Sequence, residues 1–319
     1  MINNRIVVQD IDQLLLPSER HRQLWKPKFQ FWFPGVPYAK GTDATRVYSW
    51  PRAELILPEV MQRLNGLDKA ESAGSILALG AWNMEFLNRL KAEYFLQSYK
   101  EIVLRHHLIA VEEVDDQGLG VLAEACGYDQ FISTANSRGQ AVGFLVHKRL
   151  RVLNCLEYGE LVGVMGVPDL RPALRLDLQD EVTGEQLSAT VVHLKSMRGG
   201  ILRTGLVRYQ QLLKLVEGLE GARNLSLIMG DFNCFLNHTC DTKPLEASGY
   251  TLLNRWDRTA THHFGGRLDG LFYANLPASL RLGNYNIRNF WRSTLIGCSL
   301  SDHGLLTWKL APCTMIRKP

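Results

Sequence analysis

Asp231 and Asn233 stand two residues apart in LSLIMGDFNCFLN, residues 225–237, directly after a run of apolar residues. Because side chains alternate along a strand, the two polar groups point the same way where a buried strand ends. A carboxylate beside an amide at such a place suits a hydrated ion or a reacting group. The same residue types are also common in helix caps and turns, so this pair alone does not separate a reactive site from a turn.

Other predicted strands carry polar residues of the same kind at or near one end. These residues are Asn83 and Glu85, Glu112 and Glu113, His193, Asp269, and Asp302 with His303. Each has an ordinary alternative, such as a solvated strand end, a buried core histidine, an ion pair with a neighbouring arginine or a turn. It is much less credible that all of these residues stand at strand ends by coincidence than that any one of them does. Together they therefore predict a functional site.

The elements that must position these groups recur from residue 76 onward. Strands are predicted at 75–85, 107–114, 137–150, 187–196, 225–231, 266–274 and 303–311, and helical spacing occurs at 87–106 and 204–219. Strands that are apolar on both faces lie inside layered structures. The pattern therefore predicts an α/β protein in which two sheets pack face to face with helices outside.

The N-terminal part of the chain differs in composition from the rest. Residues 26–54 are dense in aromatic residues and proline, which is typical of packed irregular chain rather than of disorder. A helix is predicted at 54–67, and DKAESAGS at 68–75 is the predicted boundary. We therefore divide the chain into an extension of unknown role at 1–72, packed on the main domain, and a catalytic domain at 73–319.

The overall composition is that of an ordinary globular protein. The 319 residues are 46% hydrophobic and 21% charged, with a net charge of +4 that permits a polyanionic partner. No apolar run approaches a membrane span, and the N-terminus lacks the apolar core of a signal peptide, so a cytoplasmic protein is expected. Six cysteines without a C-x-x-C pair argue against a zinc or redox motif and favour buried free thiols.

Short motifs along the chain occur in a familiar order. They are WN at 82–83, VEEV at 111–114, HLKS at 193–196, GDFN at 230–233, RLD at 267–269 and SDH at 301–303. Through them the chain, over about residues 76–311, resembles the endonuclease/exonuclease/phosphatase superfamily, which includes exonuclease III, DNase I and the inositol-polyphosphate phosphatases. The resemblance implies a four-layer α/β sandwich, made of two packed mixed β-sheets flanked by helices. It also implies phosphoester hydrolysis assisted by a divalent metal, Mg²⁺ or Mn²⁺.

The resemblance assigns a metal site to oxygen-bearing side chains. Glu113 matches the metal-binding glutamate of a QE motif, with Glu112 in the glutamine position. Asn83 matches an asparagine that supports the metal, and Asp302 adds to the site. Glu85, two residues beyond Asn83, is a rival candidate ligand. A hard cation held by such groups would neutralise the charge of a phosphodiester.

The resemblance also assigns the catalytic roles. Asp231 matches the residue that positions and deprotonates the attacking water, and Asn233 matches a phosphate-binding residue. His303 would contact the phosphoryl oxygens while Asp269 orients its imidazole. His193 matches a histidine that several members aim at the phosphate or the leaving group.

Two basic stretches favour a nucleic-acid substrate. Residues 195–208 and 281–292 each contain several arginines and no acid, and the second stretch also contains aromatic residues. Such a mixture suits phosphate contacts and base stacking, although a solvated loop with inward-packed aromatics is the alternative. Because the second stretch precedes SDH, we expect it to border the site. The substrate-binding candidates are Lys195, Arg198, Arg281, Arg288 and Trp291.

The sequence thus favours a nuclease acting on DNA or RNA, and it leaves open strandedness, endonuclease or exonuclease cleavage, one or two metals, and the oligomeric state. A phosphatase or a lipid phosphodiesterase of the same fold is the alternative, although no amphipathic stretch suggests a membrane partner. A binding module built on an inactive enzyme fold is the third reading, and the intact set of candidate catalytic residues argues against it.

Overall fold

The computed structural model describes residues 5–8, 39–40, 46–49, 53–70, 74, 76–198, 200–219, 224–236, 240–262, 265–290 and 300–313. Most of the predicted extension at 1–72, Trp291 and Cys298 therefore lie outside the described residues. Within these ranges, no helix is both long enough and apolar enough to cross a membrane.

The strands in chain order are β1 (Arg5–Val8), β2 (Ala39–Lys40), β3 (Arg46–Ser49), β4 (Leu77–Leu87), β5 (Leu108–Val114), β6 (Asp129–Ile132), β7 (Ala141–Val146), β8 (Leu150–Tyr158), β9 (Ala173–Asp180), β10 (Gln186–His193), β11 (Leu225–Asp231), β12 (Thr251–Leu252), β13 (Asp269–Ala274), β14 (Leu280–Arg288) and β15 (Leu305–Pro312). The helices are α1 (Ala53–Arg63), α2 (Arg89–Tyr94), α3 (Leu96–Val103), α4 (Asp116–Cys126), α5 (Ile201–Leu219) and α6 (Lys243–Ala247), with 3₁₀ turns at Gly159–Leu161 and Val164–Gly166.

Two mixed sheets form the main body. One has the strand order β14-β15-β4-β5-β7-β6, and the other has the order β12-β13-β11-β10-β9-β8. The pairs β4–β5 and β10–β11 are parallel, and their neighbours are antiparallel. Apolar side chains from both sheets meet in one buried cluster, which includes Leu79, Phe144, Leu176, Leu227 and Trp308. The predicted fold of two packed mixed sheets is confirmed.

Helices cover the outer faces of the sheets, and this explains why the central strands are apolar on both sides. In β11, Leu227 faces the other sheet while Ile228 packs in the cluster that contains Leu212 and Leu215 of α5. On the outer face of the first sheet, Trp82 of β4 packs in one cluster with side chains of α1, α3 and α4. The result is a four-layer sandwich.

The predicted helices are largely present. The predicted helix at 54–67 is α1, and the one at 204–219 lies within α5. The predicted helix at 87–106 is divided into α2 and α3, because Phe95 has φ −102° and ψ 23° between them. The short strands β1, β2 and β3 form a separate antiparallel sheet.

The cysteines of the described residues differ in part from expectation. Cys126, Cys155, Cys234, Cys240 and Cys313 are free thiols, which agrees with the prediction. Cys155, Cys240 and Cys313 are exposed, so the prediction of burial is wrong for these three. Cys155 lies on the edge strand β8, Cys240 in a loop and Cys313 directly after β15.

Candidate active site

The strand register brings the predicted polar residues to one end of the paired sheets. His193 and Asp231 are neighbours at the carboxyl ends of the parallel strands β10 and β11, and Asp231 is also paired with Asp269 of β13. In the other sheet, Asn83 of β4 is paired with Glu112 of β5. Groups that are 29 to 38 residues apart in the sequence therefore lie side by side.

Asp231 is buried and held by two asparagines. Asn233 donates its backbone N–H to Asp231 Oδ1 at 2.8 Å and its side-chain Nδ2 to Oδ2 at 2.9 Å. Asn83 donates Nδ2 to the same Oδ2 at 3.3 Å across the two sheets. Asn233 has φ +53°, a left-handed conformation that asparagine tolerates. The segment after β11 is therefore a turn, and that turn also fixes the orientation of the carboxylate.

His303 lies between two carboxylates. Its Nδ1 is 2.9 Å from Asp269 Oδ2 and 3.0 Å from Oδ1, and its Nε2 is 3.8 Å from Asp231 Oδ2. An ion pair between Asp269 and Arg267 was the ordinary alternative, but Arg267 donates instead to backbone carbonyls, including that of Leu253 at 2.7 Å. Asp269 therefore contacts the imidazole and not Arg267.

The pKa values of His303 and Asp231 depend on their burial and on the charges beside them. Burial lowers the pKa of the His303 imidazole, but the charges of Asp269 and Asp231 outweigh it and raise that pKa well above its usual value. Burial raises the pKa of Asp231 to about 7, while the charge of His303 works in the opposite direction. A carboxylate with a pKa near neutrality is suited to accept a proton, and a protonated imidazole is suited to donate a hydrogen bond.

His193 is buried beside the same carboxylate. Its Nε2 is 3.4 Å from Asp231 Oδ2 and 4.0 Å from Glu113 Oε1. It therefore links the candidate base to the candidate metal ligand, rather than being buried within the apolar core.

The candidate metal ligands sit on irregular parts of β4 and β5. The register shifts after Asn83 and after Glu112, and both Glu85 and Glu113 have positive φ, at +47° and +55°. Such bulges redirect side chains at the end of a strand. Asp302 donates its backbone N–H to Glu85 Oε2 at 3.0 Å, so Glu85 also anchors the SDH segment. Asn83, Glu85, Glu113 and Asp302 each offer an oxygen atom, the donor that a hard divalent cation prefers. Among the described residues, the histidine and acidic side chains whose ligand atoms lie within 4.8 Å of one another are Asp231, Asp269 and His303, and His262, Asp302 and His303.

Comparison with known proteins agrees with this geometry. The family model described as Endonuclease/Exonuclease/phosphatase family matches residues 80–303. The chain belongs to the endonuclease/exonuclease/phosphatase family. Members of this family are metal-dependent phosphoesterases. Comparison with curated protein sequences gives no match.

Solved structures of other family members share the fold at low sequence identity. D. rerio TDP2 complexed with a single-strand DNA product is 16% identical with a TM-score of 0.60, and the match covers 74% of this chain and 99% of that one. The human Nocturnin catalytic domain with a bound sulfate is 16% identical with a TM-score of 0.58, covering 77% and 96% of the two chains. The mannosyl-6-phosphatase of Bacteroides thetaiotaomicron is 15% identical with a TM-score of 0.58, covering 74% and 99%.

Glu112 occupies the position at which the family resemblance predicts glutamine. Its side chain is fully buried, and neither carboxyl oxygen has a hydrogen-bond partner among the residues that the structure describes. Burial raises the pKa of Glu112 well above its usual value, and the charges of Asp269 and Asp231 raise it further. A protonated, neutral carboxyl group is accordingly the favoured form, and it resembles the amide of glutamine in shape.

A cleft of about 370 Å³ opens above these residues, and its walls include side chains that the sequence analysis missed. His262 lies beside Asp302, with its Nε2 3.8 Å from Asp302 Oδ2. Arg138, from the turn before β7, lines the cleft with Arg198. Only His262 had a sequence signal, because it lies next to the RLD motif, whereas Arg138 follows no recognisable pattern.

Arg198 lines the basic side of the cleft, and Lys195 lies in the same loop. Burial lowers the pKa of Lys195, and the charges of Arg138, Arg171, Arg208 and Arg198 lower it further. Lys195 Nζ donates to backbone oxygens of its own loop, whereas Arg198 is exposed at the cleft. Arg208 is buried, donates to the Lys195 carbonyl at 2.9 Å and pairs with Asp241 at 2.7 Å, so it supports this loop rather than facing solvent.

The second basic stretch only partly meets the prediction. Arg288 is paired with Leu305 at the end of β14 nearer the site, but its guanidinium donates to the Asn65 carbonyl at 3.3 Å and it does not line the cleft. Arg281 is paired with Ala311 at the opposite end of β14. Seven residues of strand separate the two arginines by roughly 20 Å, so the prediction that Arg281 borders the site is wrong. Phe290 is buried with its ring centroid 5.5 Å from that of Trp82, which agrees with the alternative of inward-packed aromatics.

Proposed function

We propose that the protein is a divalent-metal-dependent phosphodiesterase that cleaves nucleic acid, either DNA or RNA. The observation that carries the proposal is the line of buried groups Asp269, His303 and Asp231, of which Asp231 lines the cleft together with His193 and Asn233. This set supplies a base, a cationic hydrogen-bond donor and an amide in one place.

In the proposed reaction, Asp231 orients the attacking water and accepts its proton. The hydrogen bonds from Asn83 and Asn233 fix the carboxylate, which lowers the reorganisation needed when the proton is transferred. A base is most effective when its pKa lies near the working pH, and burial raises the pKa of Asp231 to about 7.

His303 stabilises the charge that develops on the phosphoryl oxygens. Asp269 holds Nδ1, so that Nε2 points toward Asp231 and the cleft. The raised pKa of His303 keeps the imidazole positively charged at neutral pH, and a charged donor stabilises an anionic transition state more strongly than a neutral donor. His193, 3.4 Å from Asp231, lies where it can contact the phosphate or the leaving group.

The residues that would hold the metal are Glu113, Asn83 and Asp302, with Glu85 as a further oxygen donor. When bound, a cation such as Mg²⁺ or Mn²⁺ supplies positive charge that neutralises the phosphate and the developing anion. The buried carboxylates Asp231 and Asp269 add negative charge at the same end of the sheets, which would also favour a bound cation.

The preference for nucleic acid rests on the basic side of the cleft. Arg138 and Arg198 line it, and Lys195 lies in the same loop as Arg198. Arginines on one wall suit the phosphates that flank the scissile one. D. rerio TDP2, which shares the fold, has been crystallised with a single-strand DNA product.

A phosphatase acting on a small phosphomonoester is the second candidate. Since Arg281 lies far from the cleft, the basic groups gather around one pocket instead of extending along β14. A compact basic pocket also fits a single phosphate, and one protein of this fold is a mannosyl-6-phosphatase.

The test is a substrate screen with Mg²⁺ or Mn²⁺, comparing single- and double-stranded oligonucleotides with sugar phosphates and inositol phosphates. We expect oligonucleotide cleavage that a chelator abolishes. Asp231→Asn should lose about 10²-fold or more of the rate, as expected for a lost general base. Asp177→Asn is the matched control, because Asp177 lies on β9 in an ion pair with Arg175 and away from the cleft. Cleavage of sugar phosphates alone would replace the nuclease by the phosphatase, and full activity after chelation would contradict the metal requirement.

A further inference from the structure

A second group of potential metal ligands lies at the rim of the site and contains two imidazoles. His262, Asp302 and His303 each offer one ligand atom, and these atoms all lie within 4.8 Å of one another. His262 Nε2 is 3.8 Å from Asp302 Oδ2, and His303 Nε2 is 3.9 Å from Asp302 Oδ1. The carboxylate thus lies between the two rings.

The backbone holds these groups in register. His262 and His303 form an antiparallel bridge, and Gly304 donates its N–H to the Thr261 carbonyl at 2.7 Å. The two rings meet edge to face, with centroids 4.7 Å apart at an interplanar angle of 75°. The backbone N–H of Asp302 is fixed by Glu85 at 3.0 Å. The three side chains therefore do not depend on a flexible loop to come together.

The hydrogen bonding of His303 is that of a metal-binding histidine. Its Nδ1 is bonded to Asp269, which leaves Nε2 3.8 Å from Asp231 Oδ2 and 3.9 Å from Asp302 Oδ1. In metal sites such a carboxylate fixes the ring orientation and makes the free nitrogen a better ligand. The cleft gives an ion a path from solvent, because His262 and Asp302 are only partly buried and line it.

The donor set differs from that of the hard-cation site. Glu113, Asn83, Glu85 and Asp302 offer oxygen only, whereas this group shares Asp302 and adds two imidazole nitrogens. Magnesium binds oxygen and dehydrates reluctantly, while zinc prefers histidine nitrogen and accepts three protein ligands with water in the fourth position.

We propose that His262, Asp302 and His303 form a binding site for a zinc-like transition-metal ion at the mouth of the active site. Binding at His303 Nε2 releases the proton of that nitrogen to solvent, since a ligating histidine must be neutral. The bound ion takes away the hydrogen-bond donor that faces the cleft, and it therefore inhibits hydrolysis. The inhibitory part rests on the proposed function, whereas the binding part does not.

The decisive measurement is binding of Zn²⁺ alone by isothermal titration calorimetry, with the full-length protein and its accessible thiols alkylated. Alkylation is needed because Cys155, Cys240 and Cys313 are exposed and could bind zinc themselves. We expect His262→Ala to weaken Zn²⁺ binding by at least about 10-fold, the lower end of the loss seen when even a supporting residue of a metal site is changed. His147→Ala is the matched control, because His147 is only partly buried and packs on His107 and Tyr128 away from the cleft.

The second measurement is Zn²⁺ inhibition of the Mg²⁺-supported rate, expressed relative to the zinc-free rate of each variant. We expect His262→Ala to need about 10-fold more Zn²⁺ for half-inhibition, while His147→Ala behaves as the wild type. Equal zinc affinity in the His262 variant and the wild type would overturn the proposed site. If no phosphoesterase activity were found but zinc affinity still depended on His262, the proposed function would fail and the metal site would stand.

Discussion

Replacing Gly230 by alanine tests how closely the two sheets approach beneath the site. Gly230 precedes Asp231 in β11 and has φ +128°, a conformation that other residues rarely adopt. A Cβ atom at this position would lie 2.3 Å from the Val192 carbonyl oxygen and 2.5 Å from Glu112 Oε1. The first contact is with the backbone of a neighbouring strand, so it cannot be relieved by moving a side chain.

The expected loss of stability follows from these two effects. The unfavourable backbone conformation costs about 1–3 kcal/mol. Forcing a methyl group into a packed region costs about 1–3 kcal/mol more, so the sum is roughly 2–6 kcal/mol. For a domain of this size each kcal/mol lowers the melting temperature by about 2–4 °C, which gives a decrease of roughly 4–24 °C.

Thermal unfolding followed by circular dichroism measures this change. Gly283→Ala is the control, because Gly283 also lies in a strand but a Cβ there has no heavy atom within 4 Å. That variant should remain within about 1 kcal/mol of the wild type. If Gly230→Ala melted within about 2 °C of the wild type, the close approach of β10, β11 and Glu112 would be refuted.

Three further outcomes are expected. Asp269→Asn removes a charge that raises the pKa of His303, so the alkaline limb of the kcat/KM profile should move to lower pH, and an unmoved limb would remove Asp269 from this role. Arg198→Ala should reduce the log–log salt slope of oligonucleotide binding, measured with a catalytically inactive variant, by about 0.7–0.9. An unchanged slope would mean that Arg198 contacts no phosphate. Because the pKa of Glu112 is raised in the folded state, its protonated form favours folding below its usual pKa, and this contribution is lost as the pH rises through the raised value. The stability of Glu112→Gln minus that of the wild type should therefore be larger at pH 8 than at pH 5, by about 1.4 kcal/mol for each unit by which the pKa is raised within that pH range. Equal differences in melting temperature at the two pH values would contradict this.

Much of the fold and of the site could be predicted because both depend on local patterns. The run LSLIMG could only be a strand covered on both faces, and β11 is buried throughout. Asp231 and Asn233 do lie together, but β11 ends at Asp231 and Asn233 has φ +53°, so a turn brings them into contact and not the alternation of side chains along a strand. The strands β8, β9 and β14 were missed. In β9, Leu174, Leu176 and Leu178 alternate with polar residues, which is a strand pattern. In β8 and β14 most positions are exposed or only partly buried, so neither shows a run that is apolar on both faces. Five consecutive residues of β8, for example, are exposed at the edge of its sheet.

The order of motifs along the chain thus determined the layered fold, the family and the residue types of the site. It could not determine which of these residues touch. The contact of Asp231 with Asn83 joins two different sheets, and the position of Arg281 depends on the antiparallel pairing of β14 with β15. His262 reaches Asp302 only through a bridge between two loops. Such relations depend on sheet register and on long-range packing, and distances between residues far apart in sequence are fixed only when the strands pair.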